Sequence, residues 1–303
     1  MIEVKIQRRG EAYMYYGLIV LSTLMFGGSF LLNDVHRRMR ASCLKVSLQG
    51  SLFSAIAGLA VLLIINGFRV HFTFGAVLIS FFAAVNTIVL SYCGIMALGS
   101  INLSLYSLFM MLGGMMLPFW QGIFFYGEKI TVAKIICFVL ICIALLVTVE
   151  KGKGNKKAVI YYIAIFVLNG MSGVFSKIFV SLPDNTATPG DYSIALALWT
   201  GLLSCLLLAI FFRKKQDDGV PPLTWKSTLV SASSGAINKV ANYCLTIALL
   251  HVDASVQYPM VTGGVMIVST LCALLTPNKP KLREIVSVSV AFIGLIVLFI
   301  LPY

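Results

Sequence analysis

Residues 92–115 read YCGIMALGSINLSLYSLFMMLGGM, and residues 243–266 read YCLTIALLHVDASVQYPMVTGGVM. A single shift of 151 lays Tyr92-Cys93 on Tyr243-Cys244 and Ala97-Leu98 on Ala248-Leu249. It also lays Ser104 on Ser255, Gly113 on Gly264 and Met115 on Met266, with no gap. Further out, an offset of 146 places Tyr15-Tyr16 on Tyr161-Tyr162, Met25 on Met171 and Gly27 on Gly173. Apolar segments share letters by chance, but one shift held this long points to an internal duplication. The copies are residues 1–150 and 151–303.

The composition says where such a duplication resides. Of 303 residues, 59% are hydrophobic and only 11% charged, against about 25% charged in an ordinary soluble domain. Mean hydropathy is +0.95. These values exclude a cytosolic globular protein and a disordered one. Ten apolar windows follow, at about 14–34, 42–66, 74–98, 102–126, 133–149, 158–180, 193–212, 226–250, 255–276 and 283–301. Each is near the roughly 20 residues that a membrane-crossing helix needs. The runs are continuously apolar instead of alternating, so they read as helices and not barrel strands. The fold class is therefore an all-α integral membrane protein with ten transmembrane helices. Five helices per copy is an odd number, so the second copy enters the membrane upside down. Inverted repeats are the architecture of many secondary transporters, whose substrate site lies between the repeats near the bilayer midplane.

The chain carries a formal net charge of +12. In a soluble protein that would suggest nucleic acid; in a membrane protein it follows from loops rich in Lys and Arg, and no nucleic-acid partner is expected. The loops after helices 1, 5, 7 and 9 hold fifteen basic residues, among them Arg37, Arg38, Arg40, Lys151, Arg213 and Lys279. The other side holds six, Lys5, Arg8, Arg9, Arg69, Lys129 and Lys134. The positive-inside rule then places both termini outside a multi-pass cell-membrane protein, although the N-terminal cluster argues the other way. Helix 1 follows a polar start and no cleavage site follows it, so it reads as a retained span. The seven cysteines form no C-x-x-C pair, which gives neither a metal site nor a disulfide framework.

No nucleophile–base pair, no H-E-x-x-H and no phosphate-binding glycine loop occurs, and His36, His71 and His251 fall in expected loops. An enzyme is not expected, nor a cofactor. The informative segment is helix 8. Ser231, Ser234, Gly235, Asn238, Lys239, Asn242 and Thr246 fall within an arc of about 140°. Such a stripe cannot face lipid and must meet other helices or a wet cavity. Lys239 lies near mid-helix, where a lysine is disfavoured by about 2.5–3.5 kcal/mol. It either binds an anionic substrate group or exchanges a proton, or it is a structural lysine satisfied by other groups. Asn238 and Asn242 share its face. Further cavity candidates are Asn86 in helix 3, the repeat-related Tyr92 and Tyr243, Tyr106 with its counterpart Gln257, Tyr258, and Asn169. Lys177 is read as snorkelling from the end of helix 6, and Glu128 as a turn residue. Gly113-Gly114 and Gly263-Gly264 serve either close packing or a bend used in gating.

Three short motifs resemble one known family. They are Phe26-Gly27-Gly28-Ser29-Phe30 in helix 1, Gly170-Met171-Ser172-Gly173-Val174-Phe175-Ser176-Lys177 in helix 6, and Tyr126-Gly127-Glu128-Lys129 after helix 4. They are similar to motifs of the EamA-type, ten-helix members of the drug/metabolite transporter superfamily. In the second half Pro277-Asn278-Lys279-Pro280 stands where the Gly-Glu turn would recur. The resemblance implies 5+5 inverted repeats, a central cavity, a bacterial plasma membrane and carriage of a small molecule such as an amino acid, sugar, nucleotide sugar, amine or drug. Lys239 with no acidic partner in mid-membrane favours an anionic or zwitterionic metabolite, with proton coupling left open. Multidrug or lipophilic-amine export is the alternative; helix 1 carries no acidic residue near its centre to hold such a cation.

Overall fold

A computed structural model describes residues 2–40, 43–98, 103–147, 156–183, 186–212, 222–274 and 282–301. Every regular element among them is an α-helix, and there are ten. They are α1 (Ile2–Met39), α2 (Leu44–Ile65), α3 (Phe74–Leu98), α4 (Leu103–Tyr126), α5 (Val132–Val147), α6 (Lys156–Val180), α7 (Pro189–Phe212), α8 (Trp225–Ala248), α9 (Ala254–Leu274) and α10 (Leu282–Ile300). The apolar windows anticipate all ten. Two boundaries differ from expectation. Helix α1 continues in both directions past its apolar part, Tyr13–Asn33, so His36 lies in its last turns instead of in a loop. Helix α7 starts earlier, at Pro189. Proline is tolerated in a first turn, and Asp191 supports the start by accepting from the Thr188 N–H and hydroxyl, both at 2.8 Å.

Six helices are long and apolar enough to cross a membrane: α1, α2, α3, α4, α6 and α7. Helices α5, α9 and α10 carry shorter apolar stretches. Helix α8 has 24 residues, about 36 Å at 1.5 Å each; its polar stripe, not its length, sets it apart. Large apolar side chains such as Leu24, Ile56, Phe82, Leu202, Ile210 and Phe292 are exposed on the outside of the bundle. So much exposed apolar surface suits lipid and not water.

Helix α1 packs on α8 and α9, and α6 packs on α3 and α4. Helix α2 meets α7 and α8, and α7 meets α2 and α3. Helix α4 crosses α9, and α5 lies along α10. The apolar core sits between α4, α5, α9 and α10, where Phe119 stacks on Phe138 with ring centroids 4.5 Å apart. Small residues bring the crossing helices close. A Cβ on Gly27 would stand 2.4 Å from Val268, and one on Gly264 would stand 2.6 Å from Thr23, both at the α1–α9 crossing. At the α4–α6 crossing a Cβ on Gly113 would stand 2.0 Å from the Phe166 carbonyl oxygen, and one on Gly170 would stand 2.6 Å from that of Gly113. Without a hydrophobic force between helices in lipid, close approach of this kind holds a bundle together.

Candidate functional site

Helix α8 opens with a capping box: Thr224 Oγ1 accepts from the Ser227 N–H, and Ser227 Oγ accepts from the Thr224 N–H. This satisfies donors that a helix start otherwise leaves unpaired. The polar stripe then divides. Its first half is spent on packing. Ser231 donates to the Gly50 carbonyl, and Ser234 donates to Asn33 Oδ1 at 2.8 Å and lies 3.0 Å from Ser29 Oγ. Gly235 lies so close to Ser54 that a Cβ there would stand 2.0 Å from its oxygen. The second half, Asn238, Lys239, Asn242 and Thr246, faces a cavity.

That cavity has a volume of about 340 Å³ and lies between α1, α3, α4, α6, α7, α8 and α9. Among the described residues, none of α2, α5 or α10 lines it. The volume is at the small end for ligand pockets. Among the described residues Lys239 is the one charged side chain on its wall. Its stem runs across Gly58, where a Cβ would stand 2.6 Å from Lys239 Cγ, so the glycine leaves room for the lysine. Lys239 is buried, and no carboxylate or hydrogen-bond acceptor among the described residues meets its ammonium. The two ion pairs described, Lys134–Asp253 and Lys177–Glu128, lie elsewhere. A buried charge without a counter-charge is costly unless something offsets it.

Six of the ten binding candidates named from the sequence meet at this cavity: Lys239, Asn238, Asn242, Asn169, Gln257 and Tyr258. Asn169 Nδ2 donates to the Met110 carbonyl at 2.6 Å, and Gln257 Nε2 to that of Leu245 at 3.0 Å. Asn242 Nδ2 donates to both the carbonyl and the side-chain oxygen of Asn238. Tyr258 donates to the Gly173 carbonyl at 3.1 Å. Three others are not part of the wall. Asn86 lies behind it, tying α3 to α6 through the Leu168 carbonyl and Ser172 Oγ. Tyr92 is exposed on the bundle exterior, at 38%. Tyr243 is half-buried off the cavity, because a one-residue step from Asn242 turns the side chain about 100° around the helix. Tyr106 belongs to α4, but its side chain lies outside the described residues.

Sequence reasoning missed Asn33, Thr87, Tyr192 and Ser193, and the α6 face beyond Asn169. That face carried a signal. Asn169, Ser172, Gly173 and Ser176 recur at i, i+3, i+4 and i+7, the helical spacing that marked α8. Helix α4 runs unbroken through Gly113 and Gly114. Gly113 serves packing, whereas Gly114 leaves a notch in which a Cβ would stand 2.6 Å from Asn169 Nδ2. Gly114→Leu should therefore evict the Asn169 amide from this notch, and a melting temperature unchanged in that mutant would count against so close a fit.

A second polar feature lies at the α4 end of the bundle. Gly127 closes α4 with φ +64, a conformation glycine adopts without strain. Glu128 follows, and its N–H donates to the Gly122 carbonyl at 3.1 Å. Glu128 Oε1 accepts from Lys177 Nζ at 2.7 Å and from the Ala254 N–H at 2.9 Å, and Oε2 accepts from the Ser255 N–H at 2.9 Å. The carboxylate thus caps α9, where anions are favoured. Lys177 does not snorkel: it has a buried carboxylate within reach and the Tyr126 ring 5.4 Å away. Burial alone would raise the Glu128 carboxyl, but bonds from Lys177 and Ser255 and the lysine charge outweigh it and hold it below its usual range. Because the folded-state value lies below the unfolded one, the pair's contribution is fully present above pH 4.5. It is lost as the pH falls through the lowered value. Glu128→Gln should strand Lys177 and cost about 3–5 kcal/mol, as breaking a buried pair does. Thermal melts of parent and mutant between pH 7 and pH 3 check this: their difference should shrink with acidification.

No family model and no curated protein matches this chain. A solved crystal structure, described only as that of a protein, superimposes with a TM-score of 0.75 at 16% identity. The match covers 95% of this chain and 96% of that one. At this identity the likeness shows the fold alone: a helical bundle, with several helices of a length and apolarity that suit a membrane.

Proposed function

We propose that the chain is a ten-helix secondary carrier of the EamA type, moving a small polar metabolite across the cell membrane by alternating access. The observation that carries the reading is Lys239, a buried cation with no counter-charge among the described residues, in a cavity of about 340 Å³. A carrier needs such a vacancy, since its substrate supplies the missing charge. A carboxylate, such as that of an amino acid, suits it.

The contact pattern supports two inverted repeats. Renumbering each helix by five turns the α1–α8 pair into α6–α3, and α2–α8 into α7–α3. It also turns α4–α6 into α9–α1, while α2–α7, α4–α9 and α5–α10 map onto themselves. The close glycine approaches at α1–α9 and α4–α6 are exchanged likewise. The cavity draws on helices of both copies, where an inverted-repeat carrier has its site. The orientation with both termini outside rests on the loop charges.

Multidrug or lipophilic-amine export is the second reading. It would need an aromatic wall, and Phe26, Tyr192 and Tyr258 supply some of one. No carboxylate among the described residues lines the cavity to hold an amine, which favours the metabolite reading. Thermal stability of the purified protein against acids, amino acids, sugars and amines separates the two. A ligand at 100 times its Kd adds about 2.7 kcal/mol. Stabilisation by acids or amino acids that is lost in Lys239→Ala supports the metabolite carrier. Stabilisation by hydrophobic amines alone, equal in parent and mutant, replaces it with the exporter. Single cysteines at Asn238 and Asn242 should also react with water-soluble reagents, and protection of both would sink the cavity.

A further inference from the structure

Among the described residues both ion pairs lie at one end of the bundle, and both run between the two copies. Glu128 of the first copy meets Lys177 of the second at 2.7 Å, and Lys134 of the first meets Asp253 of the second at 2.7 Å. Glu128 also accepts from the Ala254 and Ser255 N–H groups, and Lys134 donates to the Lys129 carbonyl. The first turn of α9 is thereby tied to the α4–α5 turn and to the end of α6. A third carboxylate at this end, Asp191 in the first turn of α7, accepts from the His71 N–H just before α3 at 2.9 Å. At the far end, where α1 stops and α8 begins, the hydroxyls of Ser231 and Ser234 hold α8 to the first copy. Among the described residues no ion pair crosses between the copies there.

The difference between the ends is written in the sequence. The shift of 151 lays Glu128 on Lys279, Lys134 on Ile285 and Asn102 on Asp253. The offset of 146 lays Leu31 on Lys177. None of the four charges recurs in the other copy with its sign. Exact inverted copies would instead present the same contacts on both faces. The cavity is unequal in the same sense. Asn33, at the far end of its wall, is exposed, and so is Asn242 halfway along α8. Nearer the ion pairs, Thr246 and Leu249 are each 3% exposed and Tyr192 2%. Tyr192 stacks on Phe179 with centroids 4.4 Å apart, and Tyr258 bonds α9 to α6 at Gly173. The cavity therefore meets water toward the far end and is shut beneath the ion pairs.

We propose that the Glu128–Lys177 and Lys134–Asp253 pairs form a one-sided latch, which keeps this end of the cavity shut and biases the ligand-free carrier toward the state open at the far end. The inference rests on the inverted-repeat carrier reading and adds to it which end opens more easily. Alternating access moves one copy against the other, so opening the latched end must part both pairs. Opening the far end parts hydrogen bonds between uncharged groups. Bonds to charged groups are roughly twice as strong as neutral ones. Glu128 accepts from three donors, the condition under which a buried pair offsets the cost of its desolvation. The two states are therefore unequal in energy, and the latch sets the ratio between them.

Thiol labelling of the purified full-length protein tests it, in a background without its seven native cysteines. Leu249→Cys reports on the latched end and Asn33→Cys on the far end; the reagent is a charged, water-soluble maleimide. In the ligand-free parent the far-end cysteine should label at least about tenfold faster than the other. Glu128→Gln should speed labelling at Leu249→Cys and slow it at Asn33→Cys, each by about tenfold. Lys134→Met should shift both rates the same way. It is the gentler variant, since the Asp253 side chain it strands is 49% exposed. Lys177→Arg keeps the charge and should label like the parent. The opposed change is the signature, because an ion pair that only stabilises the fold would, when broken, speed both reporters. Faster labelling at both sites, or no change at either, in Glu128→Gln and Lys134→Met would overturn the latch. So would a parent whose two cysteines label equally fast. An acid that still stabilises the parent would then leave the carrier reading in place. Unchanged labelling in a parent that no ligand stabilises removes the carrier reading and the latch together.

Discussion

Lys239→Met is expected to make the empty protein more stable and unable to hold a carboxylate. The two effects have one cause. The ammonium is buried with no counter-charge among the described residues, and a methionine of similar length fills the groove over Gly58 without burying a charge. Replacing buried ionic groups by apolar ones of similar volume is often stabilising, and the empty protein should gain about 1–3 kcal/mol. Removing one member of a buried charged contact weakens binding by about 2–5 kcal/mol, so carboxylate affinity should fall by roughly a hundredfold or more. Melting of the ligand-free proteins and titration with the best-stabilising acid measure both quantities. A methionine variant that is less stable than the parent, or that titrates identically, would show that Lys239 is structural. Raised stability with lost binding is the expected signature of a residue kept for its ligand.

Gly113→Ala should do the most damage for one added methyl group. Its Cβ would stand 2.0 Å from the Phe166 carbonyl oxygen and 2.8 Å from the Phe166 Cα. The obstacle is backbone, so no side chain can turn aside. Helices α4 and α6 would have to move apart, and the Asn169–Met110 bond spans the same crossing. Overpacking ordinarily costs about 1–3 kcal/mol, and a clash with main chain should exceed that range. Gly28→Ala is the control, since nothing lies within 4 Å of a Cβ there. In a helix it should be neutral or improve stability by up to about 1 kcal/mol. The yield of monodisperse protein and its melting temperature read both variants. Similar behaviour of the two would mean that the α4–α6 approach is not a close one.

The ten helices were legible because each is an apolar run with polar punctuation, and that signal is local. The inward face of α8 was legible because a polar stripe in a membrane helix has nowhere else to go. Lys239, Asn238 and Asn242 therefore lie where the stripe predicts. What could not be read is pairing across the bundle. Lys177 looks like a lysine near a helix end, and only the fold brings Glu128 to within 2.7 Å of it. Asn86 and Asn169 are both mid-helix asparagines with similar neighbours. A difference in rotation puts Asn169 on the cavity wall and Asn86 behind it. Tyr92 and Tyr243 share a letter at the 151-residue offset, yet a shared letter does not carry a shared role when neither reaches the wall. The Asn169–Ser176 stripe was available at the same spacing as the α8 stripe, and its shorter, milder polar groups hid it.

The carboxylate that caps α9 belongs to a residue made long before α9 exists. Glu128 and Ala254 are 126 positions apart, so at about 5–20 residues per second a ribosome needs roughly 6–25 seconds to get from one to the other. Throughout that interval the α4–α5 turn has its acid in place and α9 has no N-terminus to offer it. Lys177 precedes α9 in the chain, so of the carboxylate's partners it is the first to be available. Helix α9 thus emerges after both members of the pair, and its N-terminus meets a carboxylate that Lys177 already has within reach.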